Sequence, residues 1–264
     1  MYGEAEYEYC KVTREGRLLV VTINRPAVLN ALHRPANLEL QKVFDRFSSD
    51  PALWVAIITG AGERAFSAGN DLKYQASGND TSVPAAGFGG LTGRFDLDKP
   101  VIAAVNGIAM GGGFELALAC DILVADEKAI FALPEPRVGL AATAGGLLRL
   151  PRKIHMKQAM GMILTGRRVS AAEGSQLGFV NEVALEGEAL SVATRWANEI
   201  LSCSPMAVRA AKSLATRSVL GDDFPQNYAT QKTQPALRAL YQSQDFIEGP
   251  RAFAQKRAPL WEDV

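Results

Sequence analysis

The sequence predicts an α/β fold with a helical C-terminal third. Short apolar runs rich in β-branched residues recur through the first 150 residues, each followed by a glycine-rich turn and a helical pattern. That alternation argues for a sheet covered on both faces. From about residue 155 onward the pattern is helical only. The 264-residue chain is 48% apolar and 21% charged, the composition of a globular protein and not of a disordered one.

Residues 17–24 (RLLVVTIN) alternate apolar and polar for part of their length, as a half-buried strand does. Leu38, Leu40, Val43, Phe44 and Phe47 fall at helical spacing and predict a helix over 36–47. Residues 53–59 (LWVAIIT), 100–106 (PVIAAVN) and 120–125 (CDILVA) are continuous apolar runs, expected as buried strands, and a helix is expected over 114–119 after a triple glycine. Residues 75–93 (QASGNDTSVPAAGFGGLTG) have no periodicity, and a loop of that length is usually functional or mobile. Farther on, Ser170 and Glu173 match a capping box and Gly178 supplies the stop. Helices are then expected over 187–202, 205–217 and 225–242, a tail that reads as a lid or an oligomerisation arm.

Several function classes are disfavoured at once. The 28 basic and 28 acidic residues cancel, leaving no electrostatic footprint for nucleic acid. No apolar run approaches the ~20 residues of a membrane span, and the first residues are acidic where a targeting segment would be basic. Cys10, Cys120 and Cys203 are odd in number and scattered, which suits reduced thiols in a cytoplasmic protein. With two histidines and no Cys/His cluster, no metal site is expected.

Among chemical motifs, residues 59–65 imitate a dinucleotide fingerprint, but Asp80 lies in the irregular loop where it has no second strand to hold it. Residues 65–69 (AFSAG) imitate a nucleophile elbow around Ser67, yet His33 and His155 read as structural residues and no base is at hand. The stronger signal is a pair of glycine-rich turns, 66–72 and 106–115, each leaving a buried strand and opening a helix. Converging, they would offer backbone N–H donors to an oxyanion, although each alone is simply a tight corner. Glu115 falls in the first turn of the helix after the glycines, where the helix dipole should favour its ionised form. Glu135 stands between Pro134 and Pro136, and spacing alone leaves it equally an exposed turn residue or a partner in acid/base work.

The stretch 53–150 resembles the enoyl-CoA hydratase/isomerase (crotonase) superfamily through VAIITGAGERAFSAGNDLK, KPVIAAVNGIAMGGGFELALACDILVADE and FALPEPRVGL…GGLLRLPR. The similarity extends from NRPAVLNAL at 24–32 to EGPRAFAQKR at 248–257. The resemblance implies a superhelix of strand–strand–helix turns: residues 1–195 form a core carrying a CoA-thioester site, and 196–264 form a helical trimerisation region, giving a homotrimer or a dimer of trimers. It implies an oxyanion hole from the Asn70 and Gly112 amides, and Glu115 and Glu135 as the acid/base pair, Glu115 holding the water and Glu135 exchanging the C2 proton. It further implies substrate or CoA contacts at Ala68, Asn70, Asp71, Leu72, Lys73, Gly111 and Thr143, with Phe253 and Lys256 reaching a neighbouring subunit's CoA. No cofactor is implied beyond the coenzyme A of the substrate. Reversible hydration of a 2-enoyl-CoA is the activity that two glutamates favour; isomerisation, thioester hydrolysis, or a dehydratase specific for a quaternary-ammonium acyl group are the alternatives. Some members bind RNA, which charge neutrality and two intact glutamates disfavour. Ala142-Thr143 departs from the family's usual Pro followed by Gly or Asp. Tyr74, Phe88 and Phe95 around the long loop could form a partial cage for a cationic acyl group, although packing the loop is the commoner use of such residues.

Overall fold

The computed structural model describes residues 7–220, 230 and 233–263. Strands β1 (Cys10–Glu15) and β2 (Leu18–Ile23) form an antiparallel hairpin, and helix α1 (Arg34–Ser49) crosses from β2 to the parallel strand β3 (Val55–Gly60). From there the chain climbs in repeated coils. Strand β3 continues into the short β4 (Ala65–Ser67) and helix α2 (Leu72–Ala76). The next coil runs β5 (Val101–Val105), β6 (Ile108–Met110), α3 (Gly112–Ala119). The third runs β7 (Ile122–Asp126), β8 (Ile130–Ala132), then α4 (Gly146–Lys153) and α5 (Met156–Thr165). After β9 (Val169–Ser170) and α6 (Ala171–Leu177), β10 (Glu182–Ala184) returns to the first sheet. The main sheet has the order β1-β2-β3-β5-β7-β10 and the second the order β4-β6-β8-β9. Each coil therefore gives one strand to each sheet, which is the strand–strand–helix superhelix expected above.

Two apolar cores explain why the long strands read as unbroken apolar runs. On β3, Ala56 and Ile58 face the core between the sheets, while Val55 and Ile57 face a second core under helix α7 (Ala189–Leu201). Strand β5 divides in the same way, with Val101, Ala103 and Val105 on one side and Ile102 and Ala104 on the other. Both faces are buried, so period-two alternation has no polar face to display. In the first core Phe114, Phe131 and Phe179 meet with ring centroids 5.1–5.2 Å apart.

Helix α7 packs on β3, β5 and β7, so the boundary expected after residue 195 falls inside a helix that belongs to the core layer. Beyond it lie α8 (Pro205–Leu220), α9 (Pro235–Gln242) and α10 (Gln244–Ala254). The helix expected over 225–242 is thus described from Pro235, with 225–229 and 231–232 outside the described residues. Helix α10 lies within the helical region expected over 196–264 but was not singled out as an element; it contains Pro250, and its start is fixed by the Ser243 hydroxyl, which accepts from the Phe246 amide at 3.2 Å. The C-terminal segment folds back onto these helices. The buried Asp245 accepts from the Ser204 hydroxyl at 2.8 Å and the Glu262 amide at 3.0 Å, and Trp261 Nε1 donates to Ser202 O at 2.9 Å. No helix among the described residues is long and apolar enough to cross a membrane.

Candidate active site

The two glycine-rich turns come together. At Gly69, φ is +86°, and an added Cβ would lie 2.5 Å from Met110 O and 2.9 Å from Gly112 N. At Gly113 an added Cβ would fall on the Ser67 carbonyl oxygen. The glycines are therefore required by backbone-on-backbone approach between the first and second coils.

The first turn is braced from below. The buried Ser67 hydroxyl donates to Asn30 O at 2.8 Å and accepts from the Gly69 amide at 3.2 Å, so it is committed to structure and not to nucleophilic attack. Leu32 N donates to Gly69 O at 2.8 Å and Asp71 N to Leu32 O at 3.1 Å, forming a parallel bridge at Asn70. In such a bridge the flanking residues make the bonds, which turns the Asn70 N–H away from it. Asp71 caps α2 by accepting from Tyr74 N at 3.1 Å and pairs with Arg25 Nη1 at 3.0 Å. Burial raises its pKa, but the Tyr74 amide and Arg25 outweigh that and hold the carboxyl below its usual range. On the second turn, Gly111 N donates to Ala132 O at 2.9 Å, while Gly112 opens α3, where the first amides have no intrahelical acceptor. The Phe88 ring walls this spot, with Cζ 2.7 Å from where a Gly112 Cβ would stand.

Both glutamates face the same place. Glu115 is 3% exposed, and its Oε1 accepts from the Gly146 amide at 2.8 Å. Glu135, on a tight helical turn over Glu135–Val138, puts Oε1 2.7 Å from the position of a Gly111 Cβ, and its buried Oε2 has no hydrogen-bond partner among the described residues. Burial pushes the Glu115 carboxyl up to about 7; the Glu135 charge adds to this, while the Gly146 and Ala144 amides and Arg149 oppose it. The expectation that the helix dipole keeps Glu115 ionised is thus corrected, because desolvation outweighs a dipole worth ~0.3–1 kcal/mol. Burial also raises Glu135.

A stability signature follows from Glu115. The folded carboxyl holds its proton to about pH 7, whereas its reference value is 4.5. Its contribution is therefore complete below about pH 4.5 and is lost as pH rises through 7, a swing of about 3 kcal/mol. Urea melts of Glu115→Gln against the unaltered protein should show the variant gaining relative stability between pH 5 and pH 8. A constant difference over that range contradicts the assignment.

The other expected site residues are spread more widely. Ala68 is half-buried, its amide donating to Leu29 O at 2.9 Å, and Leu72 and Lys73 are exposed on α2. Thr143 is exposed and immediately precedes Ala144, whose amide faces Glu115. Phe253, 88% exposed, and Lys256 lie at the surface of the C-terminal helices. The aromatic cage is not formed, because each ring has a different neighbour. Tyr74 packs on His33 at 4.9 Å, Phe88 lies against Gly112, and the exposed Phe95 has the Arg149 guanidinium 5.6 Å from its centroid. His33 and His155 are helix caps, their Nδ1 atoms accepting from Ala36 N and Lys157 N. Arg149 and Arg25, the partner of Asp71, are features that the sequence reading did not single out. Arg149 sits inside the GGLLRLPR stretch and could have been found there.

Residues 13–264 match the family model described as enoyl-CoA hydratase/isomerase. The chain belongs to that family. Similar curated relatives include a carnitinyl-CoA dehydratase of Escherichia coli strain K12, 43% identical over 258 residues that cover 97% of this chain and 98% of the relative. Among solved structures, an enoyl-CoA hydratase from Mycobacterium tuberculosis H37Rv superposes with a TM-score of 0.91 at 39% identity, covering 97% of this chain and 99% of that one. A carnitinyl-CoA dehydratase from Mycobacterium avium 104 superposes with a TM-score of 0.78 at 39% identity, covering 98% and 100%. The chain is thus an enzyme with the crotonase fold.

Proposed function

We propose that this protein catalyses the reversible hydration of a 2-enoyl-CoA to a 3-hydroxyacyl-CoA. The observation that carries the proposal is the pairing of the buried Glu115 with the half-buried Glu135, whose Oε2 is enclosed, beside the Gly111–Gly112 turn that meets Gly69–Asn70. The thioester oxygen accepts from the Asn70 and Gly112 amides. Glu115 takes a proton from water as its oxygen bonds to C3, and the C2–C3 π pair moves into the enolate. Glu135, protonated at the start, gives its proton to C2, so that one water is added across the double bond; the proton gained by Glu115 and the one lost by Glu135 are then balanced by exchange with solvent. A Glu115 carboxyl near 7 suits this exchange, since neither protonation state is costly at neutral pH. Ala68, Leu72 and Lys73 lie where the CoA portion would pass the first turn, and Gly111 and Thr143 border the acyl end. Asp71 is assigned to holding the turn.

A general short-chain enoyl-CoA is favoured over a carnitinyl substrate, because Tyr74, Phe88 and Phe95 do not converge and Phe95 already carries a guanidinium. The test is to incubate the purified protein with crotonyl-CoA and with crotonobetainyl-CoA and to follow product mass. Gain of one water, faster on crotonyl-CoA, is expected. Free CoA or an isomer of unchanged mass would replace hydration with hydrolysis or isomerisation, and a faster reaction on crotonobetainyl-CoA would name the carnitinyl branch.

We also assign the helices after residue 195 to self-association, with Phe253 and Lys256 reaching a neighbouring subunit's CoA. Tyr241, Phe246, Ile247 and Phe253 leave large apolar surface exposed there, which supports the assignment. Light scattering on a sizing column should return three or six chains per particle, and a monomer refutes it. A cytoplasmic location is consistent with three cysteines that carry no disulfide.

A further inference from the structure

A second cavity, of about 350 Å³, opens between the C-terminal end of α3, the outer end of α4 and helix α8. That volume is within the range of small-molecule sites. Leu97, Leu118 and Cys120 give it an apolar wall. Burial pushes the Cys120 thiol up to about 12, so it adds no negative charge.

The charge on the rim is lopsided. Arg94 is neutralised by Asp45 and Asp96 at 2.8 and 2.9 Å, and Lys212 by Asp121 at 2.8 Å. Three further cations line the cavity and form no ion pair among the described residues, although Arg149 also acts at longer range on Glu115. Arg149 Nη2 donates to Thr92 O at 2.8 Å, Arg152 Nη1 donates to Leu148 O at 2.9 Å, and Lys153 makes no ion pair. Against them stands one unpaired acid, Asp98. Arg149, Arg152 and Lys153 follow helical spacing on the last two turns of α4, so one face of one rigid element presents all three. A guanidinium fork selects planar oxyanions, while the apolar wall selects a hydrocarbon body.

We propose that this cavity binds an aliphatic carboxylate, its carboxyl group held by Arg149, Arg152 and Lys153 and its chain lying along Leu97 and Leu118. The proposal does not rest on the hydration reading, and its one link to that site is Arg149, whose charge also acts on Glu115. The carboxylate could be a free acid, or it could terminate the acyl chain of a CoA thioester. Arg149 and Lys153 lie on the helix whose first amide bonds Glu115, so the α3–α4 seam joins the two places.

Calorimetric titration of the full-length protein with sodium octanoate, n-octanol and inorganic phosphate tests this. Saturable octanoate binding is expected, with octanol at least tenfold weaker and phosphate not competing. The double variant Arg152→Gln/Lys153→Gln changes two exposed side chains and should weaken octanoate about tenfold without unfolding; Arg149→Gln should weaken it further. Octanol binding as tightly as octanoate, affinity unchanged in both variants, or no saturable octanoate binding would each overturn the proposal. Octanoyl-CoA then separates the sources. Displacement of octanoate puts the cavity at the end of the acyl path, and its absence makes the cavity an independent site for a free acid. Hydration of crotonyl-CoA, measured in parallel on the unaltered protein and the Arg152→Gln/Lys153→Gln variant, reports on the catalytic reading alone.

Discussion

Glu135→Gln should lower the turnover of crotonyl-CoA by about 10²–10⁴-fold while leaving thioester affinity within a few-fold. The amide keeps the shape of the side chain and removes only the titrating proton. The buried Oε2 of Glu135 has no hydrogen-bond partner among the described residues, and the proposed mechanism has this carboxyl pass a proton to C2. The same change at Glu115 should cost a similar factor. It should also reshape the pH profile, because the group that titrates near 7 is gone. Stopped-flow hydration rates together with equilibrium binding of a saturated acyl-CoA separate the two parameters. Near-normal rates in both variants would remove the glutamates from the mechanism. Loss of binding with kcat preserved would make them binding groups.

Gly113→Ala should be severely destabilising, by about 3 kcal/mol or more, even though glycine in a helix is ordinarily worse than alanine by about 1 kcal/mol. The reason is local. The new methyl group would occupy the place of the Ser67 carbonyl oxygen, a backbone atom that cannot turn aside, so the first and second coils would be forced apart. Gly161→Ala provides the comparison. It lies inside α5 with nothing within 4 Å of its Cβ position, and it should stabilise by roughly 0.4–1 kcal/mol. Chemical denaturation of the two variants should therefore move the midpoint in opposite directions. Two shifts of the same sign would mean that the turns do not meet as described.

The long elements were legible because each has a repeat that the chain cannot disguise. The stripe of Leu40, Val43, Phe44 and Phe47 announced α1, and the continuous runs at 53–59 and 100–106 announced strands buried on both faces. The second sheet was not legible. Its strands are two or three residues long, such as Ala65–Ser67 and Ile108–Met110, and three residues cannot display a period. At the site, the glycine turns and Glu115 were readable from spacing, but the state of Glu115 was not. Its ionisation is governed by residues 144–146 and by burial, neither of which is local to α3. Spacing alone left Glu135 even between an exposed turn residue and an acid/base partner, because its neighbours are prolines, and only the approach of Gly111 shows its Oε2 enclosed. Tyr74, Phe88 and Phe95, near one another in sequence, could have formed a set or simply packed the loop, and the fold sends each ring to a different neighbour.

The bond from the Gly146 amide to Glu115 also bears on how the chain matures during synthesis. A ribosome delivers the second coil before the residues that satisfy its carboxylate. Until residues 144–146 emerge and dock, α3 can bury Glu115 only by keeping it protonated or by leaving it without a donor. The inner end of α3 should therefore stay open to solvent in a nascent chain that stops short of α4, and close only when the third coil arrives. Completing the site and locking the second coil in place are then expected to coincide, since the two partners of this bond lie 31 residues apart along the chain.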